Sequence, residues 1–252
     1  MVIEKDLTLE LVVDPRVYTD ADSHRFPNLI VPRFAPDPSG SLDNVDTMPF
    51  FERYSVPIDF VIKTNKTVGS YHNTHHLIGV AWLVYVLSEL NGVREQQDAL
   101  VIAALFHDYH HPAGYDDVVN IDTTLNAMAS SGFWDNNQHL PCLRTDAESI
   151  IRQTQWPLPD NLQLTREGEL LRDADQLYAT YFFDLTLSER LFSELGPRFG
   201  CTSRSEWLAR NVEYALSLRN SFYWPVSDSM FDASLNKAIN LQVKQLADLC
   251  AR

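Results

Sequence analysis

Apolar residues recur at steps of three and four from residue 70 onward, and this helical spacing constrains the fold more than any other feature of the chain. One helix is predicted over residues 71–90, whose periodic positions are His76, Val80, Leu83 and Leu87. Further helices are predicted over about residues 94–107, 121–130, 145–155, 166–184, 188–195, 205–218 and 232–249. This succession of helices, with no clear strand among them, predicts an all-α bundle.

Proline is concentrated at the start of the chain, where seven of the 13 prolines precede residue 58. Proline blocks helix interiors, so this part is predicted to be mostly irregular, with a candidate strand over residues 7–13. A length of 252 residues fits one domain. We therefore expect residues 1–60 to form an extension packed on the same domain, and residues 61–252 to form the functional domain.

The balance of charges limits the classes of partner. The formal charge is −14, from 34 acidic and 20 basic residues, and such a surface repels nucleic acid polymers and anionic membranes. A small anionic substrate stays compatible with this charge if a bound metal ion supplies local positive charge. Three cysteines without CxxC spacing, a charged start and an apolar run of only residues 77–87 favour the reducing cytoplasm. Self-association is left open.

Histidine is the residue type that carries the functional information. Six of the eight histidines fall in two short clusters, each at the end of an apolar helix: His72, His75 and His76, then His107, His110 and His111. In the first cluster, His72 and His76 are four apart, so both are expected on one face of the predicted helix, pointing into the bundle. The alternative is that these imidazoles cap backbone groups at a helix N-terminus.

The second cluster begins with the pair His107-Asp108, which closes an apolar helix. Imidazole nitrogen and carboxylate oxygen are good ligands for zinc and other divalent first-row metals. A buried carboxylate is costly unless it is paired or bound to metal. The pair therefore predicts metal ligands at a helix end, where both side chains can turn toward one point.

A third segment supplies another carboxylate. Asp175 lies four residues after Leu171 and four before Ala179, which places it on the inward face of a predicted helix. The alternative for Asp175 is a salt bridge with Arg172 or a nearby arginine. Asp173 lies about 200° away from Asp175 on the helical wheel and is expected to be solvated or to lie outside the ligand shell. Histidine, His-Asp and Asp on three helices are a plausible metal site of a helical bundle.

The order of these motifs resembles a known family. Tyr71-His72-Asn73-Thr74-His75-His76, His107-Asp108-Tyr109-His110-His111-Pro112 and Asp175 are similar to the metal-binding signature of the HD superfamily of metal-dependent phosphohydrolases. The first two motifs are similar to Y-H-N-x-x-H and H-D-x-x-H of cyclic nucleotide phosphodiesterases. The Asp-Ala-Asp sequence ending at Asp175 looks more like that of general HD hydrolases. The resemblance covers roughly residues 70–185 and implies an HD-type bundle.

The resemblance implies a role for each matching residue. His76, His107, Asp108 and Asp175 would hold one divalent metal, and Asp108 would also reach a second; Mn, Mg, Zn and Fe are the candidates. His72 would be the general acid that protonates the leaving oxygen, and His111 would lie near the second metal. The implied reaction is hydrolysis of a phosphoester by a metal-bridging hydroxide. The implied substrate is a small anionic phosphate ester, with a nucleotide as the expected class and a cyclic nucleotide as one candidate.

Two other functions are compatible with the same ligand order. Some HD-type proteins use a di-iron site for oxygenation, with additional histidines before the last Asp; here only His110, His111 and His139 are available. The chain could also be a catalytically inactive module that binds a nucleotide as a signal.

Glu148 has two interpretations. Its spacing to Thr145 is that of a capping box, and the alternative is that it acts as a base near the second metal.

Overall fold

The computed structural model describes residues 48–67, 71–112, 114, 116–136, 140–183 and 185–250. Within these ranges the secondary structure is helix and turn, with no strand, so the prediction of an all-α bundle is confirmed. The helices are α1 (Met48–Arg53), α2 (Ser55–Thr64), α3 (Thr74–Leu90), α4 (Gln97–Phe106), α5 (Asp117–Ser130), α6 (Phe133–Asn136), α7 (Arg144–Arg152), α8 (Arg166–Tyr181), α9 (Leu185–Leu195), α10 (Arg204–Ser217) and α11 (Pro225–Cys250). A 3₁₀ turn, Pro141–Leu143, leads into α7.

Helix α3 lies at the centre of the bundle. Every residue from His76 to Ser88 is buried, so the helix is covered all round rather than on the single face that its spacing predicted. It packs against α4 and α8, while α7 covers α4 and α11 covers α8. Helix α4 is likewise buried from Ala99 to Phe106. These two apolar helices form most of the core, and α8 closes it beside the site described below.

The described part of the proline-rich segment contributes to this core. Helices α1 and α2 bury Phe50, Tyr54 and Ile58 against the rest of the bundle, and the Tyr54 hydroxyl donates to Asp98 at 2.7 Å. The predicted boundary at residue 60 falls inside α2. The candidate strand at residues 7–13 lies outside the described residues.

Two details of the helix termini differ from the sequence prediction. Helix α3 begins at Thr74 instead of residue 71, because Asn73 has an extended conformation and its side chain accepts from the backbone N–H groups of His75 and His76. His72 therefore precedes the helix. The capping box predicted at Thr145 is wrong: Leu143 precedes α7, no side chain caps that helix, and Glu148 pairs with Arg144 instead.

Other boundaries shift by a few residues. Helix α5 begins at Asp117, four residues earlier than predicted, because the side chain of Asp116 accepts from two N–H groups of its first turn. Helix α11 begins at Pro225, seven residues earlier than predicted. None of the helices in the described part of the chain is long and apolar enough to cross a membrane.

Candidate metal centre

Three neighbouring helices bring four possible ligands to one point. His76 lies in the first turn of α3, His107 and Asp108 follow the last residue of α4, and Asp175 lies in α8. Both α4 and α8 pack against α3. The packing of these three helices, rather than any local sequence, therefore decides how closely the ligands approach.

The ligand atoms of these residues face one another at short range. The two imidazole Nε2 atoms of His76 and His107 are 3.1 Å apart. Asp108 Oδ2 is 3.4 Å from His76 Nε2 and 3.2 Å from His107 Nε2. Asp175 Oδ1 is 3.2 Å and 3.6 Å from the same two nitrogens. Both imidazoles are buried, whereas the side chain of Asp175 is 40% exposed, so the cluster opens to solvent on the Asp175 side.

These separations fit a bound divalent transition metal. A metal that lies about 2.1 Å from each nitrogen or oxygen ligand sets adjacent ligands roughly 3.0 Å apart in an octahedron and roughly 3.4 Å apart in a tetrahedron. The five separations given above run from 3.1 to 3.6 Å. Two imidazoles and two carboxylates are also a donor set that binds Zn²⁺, Mn²⁺ or Fe²⁺ well. His76, His107 and Asp108, whose ligand atoms all lie within 4.8 Å of one another, therefore fit such an ion, and Asp175 adjoins the two imidazoles of this group.

Hydrogen bonding prepares one of the imidazoles for this role. His107 Nδ1 donates to the carbonyl oxygen of Ala104 at 2.7 Å, so Nε2 is the ring nitrogen that faces the cluster. His76 lacks the equivalent support, because its Nδ1 is buried without an acceptor among the described residues. The ring of Tyr71 packs on His76 instead, with centroids 4.9 Å apart.

The electrostatics of the cluster keep its carboxylates ionised. Burial alone would raise the pKa of Asp108, but His107 and His72 hold that pKa well below its usual range. Burial would likewise raise the pKa of Asp175, and hydrogen bonds with His107 and His76 lower it instead. Both carboxylates are therefore charged at neutral pH, as metal ligands must be.

A second group of possible ligands adjoins the first. His72, His111 and Glu194 come from three separate segments, and their side chains are at most 16% exposed. The Glu194 carboxylate contacts His72 Nδ1 and accepts from the backbone N–H of Tyr71 at 2.6 Å. The rings of His72 and His111 stack with centroids 4.2 Å apart. Glu194 thus fixes the short segment that precedes α3.

Asp108 connects the two groups. Its Oδ2 faces His76 and His107, and its Oδ1 lies 4.0 Å from His111 Nε2. His72 Nε2 is 3.8 Å from Asp108 Oδ2. One carboxylate is therefore shared between the four-ligand cluster and the neighbouring histidines, which is the arrangement needed for a carboxylate that reaches two metal ions.

The two stacked imidazoles have opposite protonation tendencies. Burial would lower the pKa of His72, but the charges of Asp108 and Glu194 outweigh burial and raise it. Burial lowers the pKa of His111 to about 4. The protonated form is therefore favoured at His72 and the neutral form at His111. The first can donate a proton, and the second can offer a lone pair.

Each predicted site residue has a place in this arrangement. The structure brings His76, His107, Asp108 and Asp175 together and sets His72 and His111 beside them. His72 and His76 do not share a helix face, because His72 precedes α3, but their ring centroids are still 5.5 Å apart.

The expectations for the residues around Asp175 need correction. The alternative salt bridge between Asp175 and Arg172 is not formed, since Arg172 donates to the carbonyl oxygens of Gln153 and Gln155. Asp173, expected to be solvated or outside the ligand shell, is fully buried. Its carboxylate accepts from two backbone N–H groups, those of Tyr223 and Trp224, at the start of α11. Burial raises the pKa of this carboxyl to about 6.

Sequence reasoning missed Glu194. It lies in α9, which was predicted as a helix, but no motif or spacing links it to His72, 122 positions earlier. Only the packing of α9 against the rest of the bundle reveals it.

Comparison of this chain with protein-family models, with curated proteins and with solved structures found no match.

Proposed function

We propose that this chain is a metal-dependent phosphohydrolase of the HD type, which hydrolyses a phosphoester bond in a small anionic substrate, with a nucleotide as the expected class. The observation that carries the proposal is the shared position of Asp108, between a four-residue cluster of possible ligands and the imidazole of His72. The order of the motifs along the chain, which resembles the HD signature, supports it independently. The reducing cytoplasm stays the expected compartment.

The cluster would hold the metal through His76, His107, Asp108 and Asp175, and His111 lies where a second ion near Asp108 Oδ1 could use it. Bound divalent metals lower the pKa of water and neutralise charge on the phosphoryl oxygens. Such neutralisation matters here because the formal charge of the chain is −14. Phosphoryl transfer depends mainly on positioning and charge stabilisation.

The chain's own residues supply the proton. The charges of Asp108 and Glu194 raise the pKa of His72, which lies at the edge of the cluster, so its protonated ring can donate from Nε2 to the oxygen that leaves phosphorus. Glu194 contacts the other ring nitrogen, which orients the imidazole and stabilises its charge. The pair resembles the carboxylate–histidine pairs that orient proton donors in other hydrolases. His72 and Glu194 thus form the proposed acid and its positioning residue.

The alternative functions make different demands on the site. A di-iron oxygenase of this ligand order needs additional histidine ligands, and His110 is committed elsewhere because its Nε2 contacts the carbonyl oxygen of Thr64 at 2.9 Å. A binding module without activity has no use for a charged imidazole beside the ligands. Both alternatives remain as outcomes of the experiment that follows.

The test is hydrolysis of a panel of phosphate esters by the metal-free protein supplied with Mn²⁺, Mg²⁺ or Zn²⁺. The panel contains cyclic mononucleotides, linear and cyclic dinucleotides, and nucleoside mono- and triphosphates. We expect metal-dependent turnover of at least one nucleotide, lost by about 10²-fold or more in Asp108→Asn. Asp122→Asn, which changes an exposed aspartate paired with Arg152, is the matched control and should keep full activity.

The possible results separate the hypotheses. Selective turnover of a cyclic nucleotide would extend the resemblance to the phosphodiesterases from the metal ligands to the substrate. Full activity of Asp108→Asn would refute the mechanism. Nucleotide binding without turnover under every metal would favour the binding module, and stoichiometric iron with oxygen uptake would favour the oxygenase.

A further inference from the structure

The turn that carries Asp108 and His111 contains a residue with an unusual backbone. His110 has φ +60°, in the left-handed region that residues other than glycine seldom occupy. The turn folds back on itself, since the backbone N–H of His111 donates to the carbonyl oxygen of Asp108 at 3.0 Å. A left-handed residue other than glycine persists only where its surroundings hold it in place.

The segment after α2 holds this turn. The side-chain oxygen of Asn65 accepts from the backbone N–H of His110 at 3.0 Å. The carbonyl oxygen of Thr64 accepts from His110 Nε2 at 2.9 Å, and Thr64 Oγ1 accepts from the hydroxyl of Tyr109 at 2.8 Å. His110, although it lies within the histidine motif, is therefore used to hold the backbone rather than to bind a ligand.

The Asn65 carboxamide also reaches the other histidine-bearing segment. Its nitrogen donates to Thr74 Oγ1 at 3.3 Å, and Thr74 is the first residue of α3, two positions before His76. Its oxygen accepts a second hydrogen bond, from Thr67 Oγ1 at 3.0 Å. The same Thr67 hydroxyl lies 3.4 Å from the carbonyl oxygen of Asp108. One side chain thus bonds to both the start of α3 and the turn after α4.

We propose that Asn65 is a positioning residue for the candidate metal centre, which sets the separation between His76 on α3 and the Asp108–His111 turn after α4. This inference rests on the proposed function, because it needs a metal ion bound between these two segments. Its physical basis is that metal affinity depends on ligands being held at their binding separation by the residues behind them. Asn65 itself contacts no ligand atom and has no part in proton transfer.

The test measures binding of Mn²⁺ to the metal-free full-length protein, by the loss of the electron paramagnetic resonance signal of free Mn²⁺. Asn65→Leu removes all three hydrogen bonds of the carboxamide, and we expect it to weaken Mn²⁺ binding by about 10- to 100-fold. Asn65→Asp keeps the oxygen that accepts from His110 and Thr67, and its second oxygen can accept from the Thr74 hydroxyl, so it should retain most of the affinity. The matched control is Asn91→Leu, at the opposite end of α3, where the carboxamide bonds only locally to the Leu87 carbonyl oxygen.

A purely structural role for Asn65 predicts a different pattern. In that case Asn65→Leu and Asn91→Leu would lower the melting temperature of the metal-free protein without changing Mn²⁺ affinity, and this result would overturn the inference. If Asn65→Leu does not fold, Thr74→Val decides, because it keeps the shape of the side chain and removes the hydroxyl oxygen that accepts from the Asn65 carboxamide nitrogen. Unchanged Mn²⁺ affinity in Thr74→Val would then overturn the inference.

The unaltered protein separates this inference from the proposed function. If it binds no Mn²⁺, both are overturned. If it binds Mn²⁺ and the Asn65 variants match the Asn91 control, only the role of Asn65 is overturned and the metal centre stands.

Discussion

Gly79 of α3 packs directly against Tyr178 of α8, and replacing it with alanine tests how the possible ligands are brought together. A Cβ atom at this position would lie 2.9 Å from Tyr178 Cδ2 and closer still to Cε2, whereas ordinary contacts begin at 3.4 Å. The Tyr178 ring has little room to turn, since its centroid is 4.7 Å from that of His76 and 5.2 Å from that of Phe182. The substitution must therefore push the two helices apart.

The expected size of the effect follows from two opposing terms. Alanine in a helix interior is favoured over glycine by about 0.5–1 kcal/mol. Forcing an extra carbon into a packed core costs about 1–3 kcal/mol. We expect Gly79→Ala to lower the free energy of unfolding by about 1–2 kcal/mol. For a domain of this size, that loss corresponds to a melting temperature lower by about 2–8 °C.

The same change should weaken the metal centre. Gly79 follows His76 by three residues on α3, and Tyr178 follows Asp175 by three residues on α8. Moving the two helices apart at Gly79 should therefore lengthen the 3.2 Å separation between His76 Nε2 and Asp175 Oδ1. We expect weaker Mn²⁺ binding, measured as above, together with lower stability measured by chemical denaturation.

A double-mutant cycle checks the cause. In a Tyr178→Leu background the clash is relieved, so Gly79→Ala should be close to neutral or stabilising by up to about 1 kcal/mol. If alanine stabilises the protein with Tyr178 present, or destabilises it equally in both backgrounds, the argument from the helix crossing is wrong.

Three further predictions concern the proposed acid, a helix terminus and the N-terminal helices. Glu194→Gln should move the alkaline limb of the pH–rate profile to lower pH, because loss of the carboxylate charge lowers the pKa of His72, so the acid loses its proton at lower pH. The control is Glu206→Gln, which changes an exposed residue of the capping box of α10. An unchanged alkaline limb in Glu194→Gln would contradict the assignment of His72 as the acid. Asp173→Ala should lower the free energy of unfolding by about 1–2 kcal/mol in urea titrations, because the backbone N–H groups of Tyr223 and Trp224, immediately before α11, lose their buried acceptor. A change below about 0.5 kcal/mol would argue against this contribution. Burial, and then a hydrogen-bonded carboxylate, raise the pKa of Tyr54 in the folded state, so the phenol ionises first in the unfolded chain. The contribution of Tyr54 to stability is therefore lost as the pH rises above about 10. Over that range the free energy of unfolding of the wild type should fall by up to about 1.4 kcal/mol per pH unit more than that of Tyr54→Phe. The same pH dependence of the unfolding free energy in both proteins would contradict this prediction.

The comparison of two similar motifs shows where local sequence stops being informative. Thr145 and Glu148 have capping-box spacing, as do Ser203 and Glu206, but only the second pair forms the box. Ser203 has an extended backbone, with φ −133° and ψ 157°, so its side chain can reach the first turn of α10. A 3₁₀ turn leads directly into α7, so Leu143 is already helical, with φ −89° and ψ −9°, and no extended cap position exists there. The preceding structure, not the spacing, decides whether a cap forms.

The sequence by itself determined the helical class and most of the residues that meet at the candidate centre. Helix formation depends on hydrogen bonds and side-chain spacing within a few residues, which a sequence displays directly. The adjacency of His107 and Asp108 is covalent, and an apolar helix that ends in such a pair indicates a buried polar site before any packing is known. His76 and Asp175 were identified from the order of motifs together with their helical positions.

Tertiary structure alone decided how these residues are held. Glu194 contacts His72 across 122 positions, Asn65 accepts from His110 across 45 positions, and Asp173 accepts from Tyr223 across 50 positions. No periodic pattern encodes such pairs, because each depends on how helices distant in sequence cross. The distances between the possible ligands also depend on tertiary packing. They follow from the packing of α3 with α4 and α8, and the absence of a side chain at Gly79 permits the approach of α3 to α8.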